Sequence, residues 1–313
     1  MTQSVQPVRL HISPQHHPWR ADIEAAVERG GAEVAAAEDA VGLIWLARGA
    51  GEGLDEILAD HLRWVQLRSA GIDQWNATGG LDRRRIWTTT RGVYAETVAE
   101  HALTLMLMGL KEMHVYTRAS SWEAGSKQRG RLLGDMTVAV VGAGGIGQQL
   151  IRYLEPMGPH VIAVTRRGRL VAGAHENVVA GELRGILPRA DVVVLAAPAT
   201  HETHHLIGGA ELEAMRPNAW LVNVGRGTLI DTDALVVALE RGDIGGAALD
   251  VTDPEPLPDG HPLWCEPRAI ITPHAANPGV AQLPRLAAFI TENVRRFVTG
   301  EELLGRVDHE AGY

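Results

Sequence analysis

Three residues in the second half of the chain have side chains suited to acid–base chemistry on a carboxylate-bearing molecule. Arg226, Glu255 and His274 each follow a short apolar run typical of a strand, namely WLVNV, GAALDV and AIIT. Because the carboxyl ends of parallel strands meet at one edge of a sheet, we expect the three to lie close together. Arginine forms a planar fork that fits a carboxylate, and histidine titrates near neutrality. A glutamate can orient the imidazole and stabilise its protonated form.

A glycine turn near the middle of the chain indicates a dinucleotide. In TVAVVGAGGIG, residues 137–147, a β-branched run precedes G-x-G-x-x-G, and a helical pattern follows from Ile146. Gly142 permits the turn, Gly144 lets a pyrophosphate approach the backbone, and Gly147 allows helix and strand to pack closely. We therefore place Gly145 and Ile146, at the positive end of the helix dipole, in the coenzyme site. The alternative is a structural turn in a chain with 35 glycines.

Together these groups predict a reductase of 2-keto acids. Hydride from a nicotinamide would attack the carbonyl carbon, while Arg226 binds the carboxylate and His274 protonates the oxygen. General acid catalysis of this kind typically contributes about 10²–10⁴-fold. The alternative for each residue by itself is an ordinary solvated or capping charge, and Glu255 also lies in a proline-rich loop.

The end of the second strand of this domain predicts which coenzyme is used. Dinucleotide folds that prefer NAD usually carry an acidic residue there, which bonds the ribose 2′-hydroxyl. The sequence is VIAVTRRGR, so Thr165 stands at that place and Arg166 and Arg167 follow. Two guanidinium groups suit a 2′-phosphate, and we predict that NADP(H) is favoured over NAD(H). The alternative is a solvated charged turn.

Alternating strand and helix patterns predict the elements that position these residues. The second half contains at least six strand candidates, which gives a doubly wound sheet. They are residues 137–141, 161–165, 191–196, 220–224, 246–251 and 269–272. The first hundred residues have their own strand candidates without a glycine fingerprint, and an amphipathic helix is predicted over 282–299. The predicted domains are 1–98 with 282–313, and an inserted dinucleotide-binding domain over 99–281.

Seven segments of the sequence resemble the D-isomer-specific 2-hydroxyacid dehydrogenases, including their glyoxylate/hydroxypyruvate reductases. They are VQLRSAGID (65–73), ETVAEHALTLML (96–107), VVGAGGIG (140–147), APATHETHHLIG (197–208), NVGRGTLID (223–231), DVTDPEPLPDGHPLW (250–264) and TPHAA (272–276). The resemblance implies an α/β fold of two Rossmann-like doubly wound domains, with the dinucleotide-binding domain inserted into a flavodoxin-like substrate domain. One departure is Asn277, which stands where many relatives have glycine.

The same resemblance implies roles for individual residues. Arg226, Glu255 and His274 match the family's catalytic residues, and Arg226 and His274 also contact substrate. Backbone groups of Ala70 and Gly71 match the loop that holds the substrate carboxylate, although they could simply form a turn. The implied coenzyme contacts are Asp250 (at the nicotinamide amide), Pro198, Thr203 and Val224. The alternative for Asp250 is a loop cap.

The resemblance also implies partners and leaves one alternative open. It implies a homodimer formed through the region around 100–130. Some relatives are dinucleotide-sensing corepressors, so a binding scaffold of the same fold is the alternative to an enzyme.

Composition narrows the class of partner. A net charge of −9 argues against nucleic acid or an acidic membrane surface. A single cysteine, Cys265, and a first segment without the apolar core of a secretory signal predict a cytoplasmic protein. Three histidines, His201, His204 and His205, invite a metal interpretation, but a solvated loop is favoured and no metal site is predicted.

Overall fold

The computed structural model describes residues 7–47, 49, 53–72, 75, 81–122 and 129–310. Its strands are β1 (Arg9–Ser13), β2 (Glu33–Val34), β3 (Gly42–Trp45), β4 (Trp64–Leu67), β5 (Ile86–Thr88), β6 (Thr137–Val141), β7 (His160–Thr165), β8 (Glu176–Val179), β9 (Val192–Leu195), β10 (Trp220–Asn223), β11 (Gly246–Leu249) and β12 (Ala269–Ile271). Its α-helices are α1 (Arg20–Arg29), α2 (Leu54–Ile57), α3 (Ala95–Leu110), α4 (Met113–Tyr116), α5 (Gly145–Leu154), α6 (Leu183–Ile186), α7 (Gly209–Ala214), α8 (Thr232–Arg241) and α9 (Gly279–Thr299).

The chain divides into two compact units, residues 1–94 with 278–313, and residues 95–277. The sequence placed both divisions four residues later, at 98/99 and 281/282. Unit 1 contains a five-stranded parallel sheet in the order β2-β1-β3-β4-β5, which is the flavodoxin-like order. Unit 2 contains a seven-stranded parallel sheet in the order β12-β11-β10-β9-β6-β7-β8, the Rossmann order with one added strand. The α/β, Rossmann-like fold class predicted from the sequence is confirmed.

Apolar side chains cover both faces of the seven-stranded sheet. In β6, Val138 and Val140 pack in one core cluster, while Ala139 and Val141 pack in another. A parallel sheet buried on both faces requires a continuous apolar strand rather than an alternating one, and this explains the run that marked β6 in the sequence.

Sequence patterns predicted six of the seven strands of this sheet, each to within two residues at either end. The edge strand β8 was missed, because it is short, begins with Glu176 and pairs only with β7. The predicted strands at 191–196 and 246–251 are also longer than β9 and β11. Strand β11 ends at Leu249, and Asp250 and Val251 are buried in the loop that follows it.

Helices α3 and α9 are the longest of the described helices, and α9 has a start that differs from the predicted range. Helix α3 packs against α5 through residues such as Ala102, Leu105 and Leu150. Helix α9 begins at Gly279 rather than at residue 282, and Pro284 lies inside it. Proline has no N–H group, so the backbone of α9 lacks one hydrogen bond near its start. Within the described residues, no helix is both long enough and apolar enough to cross a membrane.

Candidate active site

His274 and Glu255 form a direct contact at the carboxyl edge of the seven-stranded sheet. His274 follows β12, Glu255 follows the neighbouring strand β11, and His274 Nδ1 lies 2.7 Å from Glu255 Oε1. The side chains are 49% and 43% exposed, so both remain open to a ligand. An ionised carboxylate only accepts hydrogen bonds, so this contact places a proton on Nδ1 and directs Nε2 to other partners.

The backbone of His274 is held in an uncommon conformation. Its φ is 51°, in the left-handed region that residues other than glycine seldom adopt. The His274 N–H donates to the Asp250 carbonyl at 2.8 Å and to the Thr272 carbonyl at 2.9 Å. Such strain persists only where the surroundings determine the conformation, and it is concentrated at functional sites.

Asp250 organises the loop that carries His274. Its side chain is buried, and Oδ1 accepts from Thr272 Oγ1 at 2.6 Å and from the Ala275 N–H at 2.8 Å. Oδ2 accepts from the Ala276 N–H at 3.1 Å. Burial alone would raise the pKa of Asp250, but hydrogen bonds from His101, Thr272 and Ala275 outweigh it and hold the pKa below its ordinary value. The carboxylate therefore caps the His274 loop, and its predicted contact with a nicotinamide amide stays a prediction.

Arg226 lies in the loop after β10, next to the loop that leads to Glu255. The buried Asn223 side chain shapes this turn: Nδ2 donates to the Arg226 carbonyl at 2.8 Å, and Oδ1 accepts from the Gly225 N–H at 3.0 Å. A Cβ at Gly227 would lie 1.9 Å from the Thr252 carbonyl oxygen. Only glycine permits this close approach, so Gly227 and Asn223 position the half-buried Arg226.

The glycine turn has the geometry of a phosphate cradle. Gly142 has φ 94°, and a Cβ there would lie 2.5 Å from the Ala197 nitrogen. A Cβ at Gly147 would lie 2.4 Å from the Gly142 carbonyl oxygen. A Cβ at Gly144 would instead meet no described atom within 4 Å. Gly145 and Ile146 begin helix α5, whose start has no side-chain cap among the described residues. The open space at Gly144 and these N–H groups fit a dinucleotide pyrophosphate.

The turn after β7 carries the residues predicted to choose the coenzyme. Thr165 is buried, and its Oγ1 accepts from the Arg169 N–H at 3.0 Å. Arg166 and Arg167 are exposed. The Arg169 guanidinium donates to the Ala143 carbonyl in the glycine turn. Sequence reasoning missed Arg169, although the third arginine of TRRGR was visible there.

The remaining predicted coenzyme residues follow β9 and β10. Thr203 Oγ1 donates to the Pro198 carbonyl at 2.7 Å and accepts from the Thr200 N–H at 2.8 Å, so the structure brings Pro198 and Thr203 into one turn. Val224 is buried, and its N–H donates to the Leu195 carbonyl at 3.1 Å.

Ala70 and Gly71 belong to unit 1, directly after β4. The hydroxyl of Ser69 donates to the Gly71 carbonyl at 3.0 Å, and the Ser69 carbonyl accepts from the Thr90 N–H at 3.0 Å. Ala70 is exposed. The turn is therefore well defined, and the assignment of a substrate carboxylate to it stays a prediction.

The histidine-rich loop contains a ring stack. The rings of His204 and His205 lie 4.0 Å apart, centroid to centroid. Within the described part of the chain, no group of three or more histidine, cysteine or acidic residues is arranged to hold a metal ion.

Comparison with known proteins gives a consistent assignment. Residues 101–276 match the family described as D-isomer specific 2-hydroxyacid dehydrogenase, NAD binding domain. An uncharacterised protein from the proB 3′ region of Corynebacterium melassecola is 42% identical over 82% of this chain and 85% of its own length. Glyoxylate/hydroxypyruvate reductase B of Pectobacterium carotovorum is 32% identical over 81% of this chain and 82% of its own. A crystal structure of a D-isomer specific 2-hydroxyacid dehydrogenase from Xanthobacter autotrophicus Py2, in complex with NADPH and MES, is 26% identical with a TM-score of 0.85; the match covers 98% of this chain and all of that one.

Proposed function

Because the chain belongs to the D-isomer-specific 2-hydroxyacid dehydrogenase family, we propose that it interconverts a small 2-keto acid and the D-2-hydroxy acid with NADP(H). Family membership makes it an NAD(P)-dependent oxidoreductase of 2-hydroxy acids. The observation that supports the proposed mechanism is the 2.7 Å contact between His274 Nδ1 and Glu255 Oε1. That contact gives a half-exposed imidazole a fixed orientation and a counter-charge.

His274 acts as the general acid in the reducing direction. Glu255 holds Nδ1 and stabilises the imidazolium, so Nε2 carries the proton that is delivered to the carbonyl oxygen. A bound nicotinamide supplies the hydride that reduces the carbonyl carbon. The carbonyl thus gains one hydride and one proton and becomes the hydroxyl group. In the oxidising direction, His274 Nε2 takes the hydroxyl proton back.

Arg226 anchors the substrate. Its backbone is held by the Asn223 turn, and Nη1 of its guanidinium donates to the Gly225 carbonyl at 2.7 Å. The guanidinium offers parallel donors to a carboxylate and to the neighbouring carbonyl oxygen. Charge on that oxygen grows as the hydride arrives, so a guanidinium beside it stabilises the transition state more than the ground state. The backbone of Ala70 and Gly71 is proposed as a second holder of the substrate carboxylate.

The coenzyme is held mainly by backbone groups. Gly142, Gly144 and Gly147 shape the turn, and the N–H groups of Gly145 and Ile146 would hold the pyrophosphate of a bound coenzyme. Pro198, Thr203, Val224 and Asp250 are proposed to line the nicotinamide and its ribose.

The preference for NADP(H) rests on the turn after β7. Thr165 replaces the acidic residue that would repel a 2′-phosphate, and Arg166 and Arg167 are exposed beside it. The Xanthobacter relative was crystallised with NADPH, which supports the same choice. Arg169 is proposed to fix the relative position of this turn and the glycine turn through its bond to Ala143.

Substrate class, location and assembly complete the proposal. The name of the Pectobacterium relative points to glyoxylate and hydroxypyruvate as substrates. A homodimer formed through the region around 100–130, and a cytoplasmic location consistent with a single cysteine, are parts of the same proposal.

A substrate panel tests the proposal. The purified protein is assayed for coenzyme oxidation with glyoxylate, hydroxypyruvate, pyruvate and a branched 2-keto acid, each with NADPH and with NADH. We expect turnover of a small 2-keto acid, a higher kcat/KM with NADPH, and a D-configured product wherever the product is chiral. A clear preference for NADH would contradict the coenzyme assignment. Negligible rates with every 2-keto acid would contradict the proposed catalytic activity.

A further inference from the structure

The first two turns of helix α3 contact both ends of the loop that carries His274. Thr97 Oγ1 donates to Asn277 Oδ1 at 3.1 Å, three residues after His274. His101 Nε2 lies 3.0 Å from Thr272 Oγ1, two residues before it. Thr97 and His101 are four residues apart, so they lie on one face of the helix.

The hydrogen-bond donors around Asp250 determine which atom of His101 carries a proton. Thr272 has one hydroxyl hydrogen, and at 2.6 Å it is directed to Asp250 Oδ1. The Thr272 oxygen can then only accept from His101. The second neighbour of His101 Nε2 is Asp250 Oδ1, at 3.3 Å, and an ionised carboxylate is also only an acceptor. Both contacts therefore require a hydrogen on His101 Nε2.

We propose that His101 and Thr97 are positioning residues that fasten the catalytic loop at its two ends. His101 donates into the Thr272–Asp250 pair, and that pair holds the backbone on both sides of His274. Without these bonds the left-handed His274 backbone can relax, and its imidazole moves away from Glu255. This inference rests on the proposed role of His274 as the general acid.

Packing of helix α3 does not depend on these two polar side chains. The helix is buried through Ala99, Ala102, Leu105 and Met106. His101 is only partly buried, with 21% of its side chain exposed. Thr104, on the same helix, offers a control because its hydroxyl bonds to the Glu100 carbonyl within the helix at 2.9 Å. Variants at positions 97 and 101 should therefore fold.

Kinetics of four variants test the proposal. Misplacement of a reacting group by about 1 Å can cost about 10²-fold in rate, so we expect His101→Leu to lower kcat by about 10- to 100-fold. The KM for NADPH should change by less than about threefold, because the loss is expected in the chemical step and not in coenzyme binding. His101→Gln, which keeps an N–H donor, should restore most of the rate. Thr97→Val should have a smaller effect than His101→Leu, and Thr104→Val should behave as the wild type.

Nuclear magnetic resonance of histidine nitrogens provides a test that does not need turnover. In the coenzyme-free protein we expect a proton on His101 Nε2, and we expect His274 ring signals to move in His101→Leu but not in Thr104→Val. The proposal would be overturned if His101 Nε2 carried no proton, or if the His274 signals were the same in all variants. An unchanged kcat in His101→Leu, or a glutamine variant no better than the leucine variant, would overturn it as well. If the wild type turns over no 2-keto acid, the proposed function fails, while the resonance test still decides the role of His101.

Discussion

The glycine turn and the His274 loop lie at the same edge of the seven-stranded sheet, separated by β9, β10 and β11. The turn consists of backbone and open space: side chains are absent at Gly142, Gly144 and Gly147, and an added Cβ at the first or third would clash. The His274 loop is fixed by side chains. Asp250 receives three hydrogen bonds from residues within that loop.

The difference between these two regions agrees with the function proposed for each. A pyrophosphate needs several N–H groups that can be approached closely, and backbone supplies them without any side-chain chemistry. Proton transfer needs one imidazole at a fixed angle, and only a network of donors and acceptors can hold it there. Binding and chemistry should therefore fail separately when each region is altered.

The largest expected effect is that of His274→Gln. Loss of the proposed proton donor should lower kcat by about 10²–10⁴-fold, because this is the usual contribution of general acid catalysis. The dissociation constant for NADPH, measured by fluorescence titration, should stay within about threefold of the wild-type value. A rate equal to that of the wild type would refute the role of His274.

Alanine at two positions of the glycine turn should separate folding from binding. In Gly142→Ala the new Cβ would lie 2.5 Å from the Ala197 nitrogen at a φ of 94°, so we expect a stability loss on the order of 3 kcal/mol. Gly144→Ala meets open space and should leave the melting temperature unchanged, while NADPH binds more weakly. Thermal unfolding and coenzyme titration of both variants check this. Equal melting temperatures for the two would be inconsistent with the geometry.

Removal of the two arginines after β7 should change coenzyme choice alone. In the double variant Arg166→Ser with Arg167→Ser, kcat/KM for NADPH should fall by about 10- to 100-fold, the usual range for a lost charge-assisted bond. The value for NADH should change little. The exposed Arg184 gives a control of equal chemistry, and Arg184→Ser should leave the ratio unaltered. A parallel loss with both coenzymes would indicate a general effect on binding.

The smallest effect concerns the pH dependence of stability through Asp250. Its pKa is lowered in the folded protein, so its stabilisation is present above the ordinary value of 3.8 and is lost as the pH falls through the folded value. Asp250→Asn should cost on the order of 2 kcal/mol near neutrality. The gap in melting temperature between wild type and variant should narrow below about pH 4. A gap in melting temperature that widens as the pH falls would contradict the lowered pKa of Asp250.

The sequence predicted the glycine turn well because its determinants are local. One short segment contains a β-branched run, three glycines at fixed spacing and a helical pattern. Each of these features can be recognised directly from the residue types. Strands β10, β11 and β12 were equally visible, since strands of a sheet buried on both faces are continuous apolar runs. Their adjacency explains why Glu255 and His274 could be expected to meet.

The network behind His274 was not predictable from local pattern. Thr272 and His101 are 171 residues apart in the chain, and only the fold brings them together. The coenzyme contact of Asp250 was implied by the family resemblance and stays a prediction. Its three hydrogen bonds to the His274 loop left no trace in the local sequence. The sequence shows His101 only as a polar residue one turn after Thr97 on a largely apolar helix. It does not indicate that His101 contacts Thr272.

The most direct test of the separation between binding and chemistry is the single-turnover rate at saturating NADPH in two variants. With a small 2-keto acid as substrate, Gly144→Ala should react at a rate close to that of the wild type once its weakened coenzyme site is filled. His274→Gln should stay about 10²–10⁴-fold slower at any NADPH concentration. This separation is contradicted if saturating NADPH restores the rate of His274→Gln, or if Gly144→Ala stays as slow as His274→Gln. Coenzyme binding and proton transfer would then not be separated between the two regions.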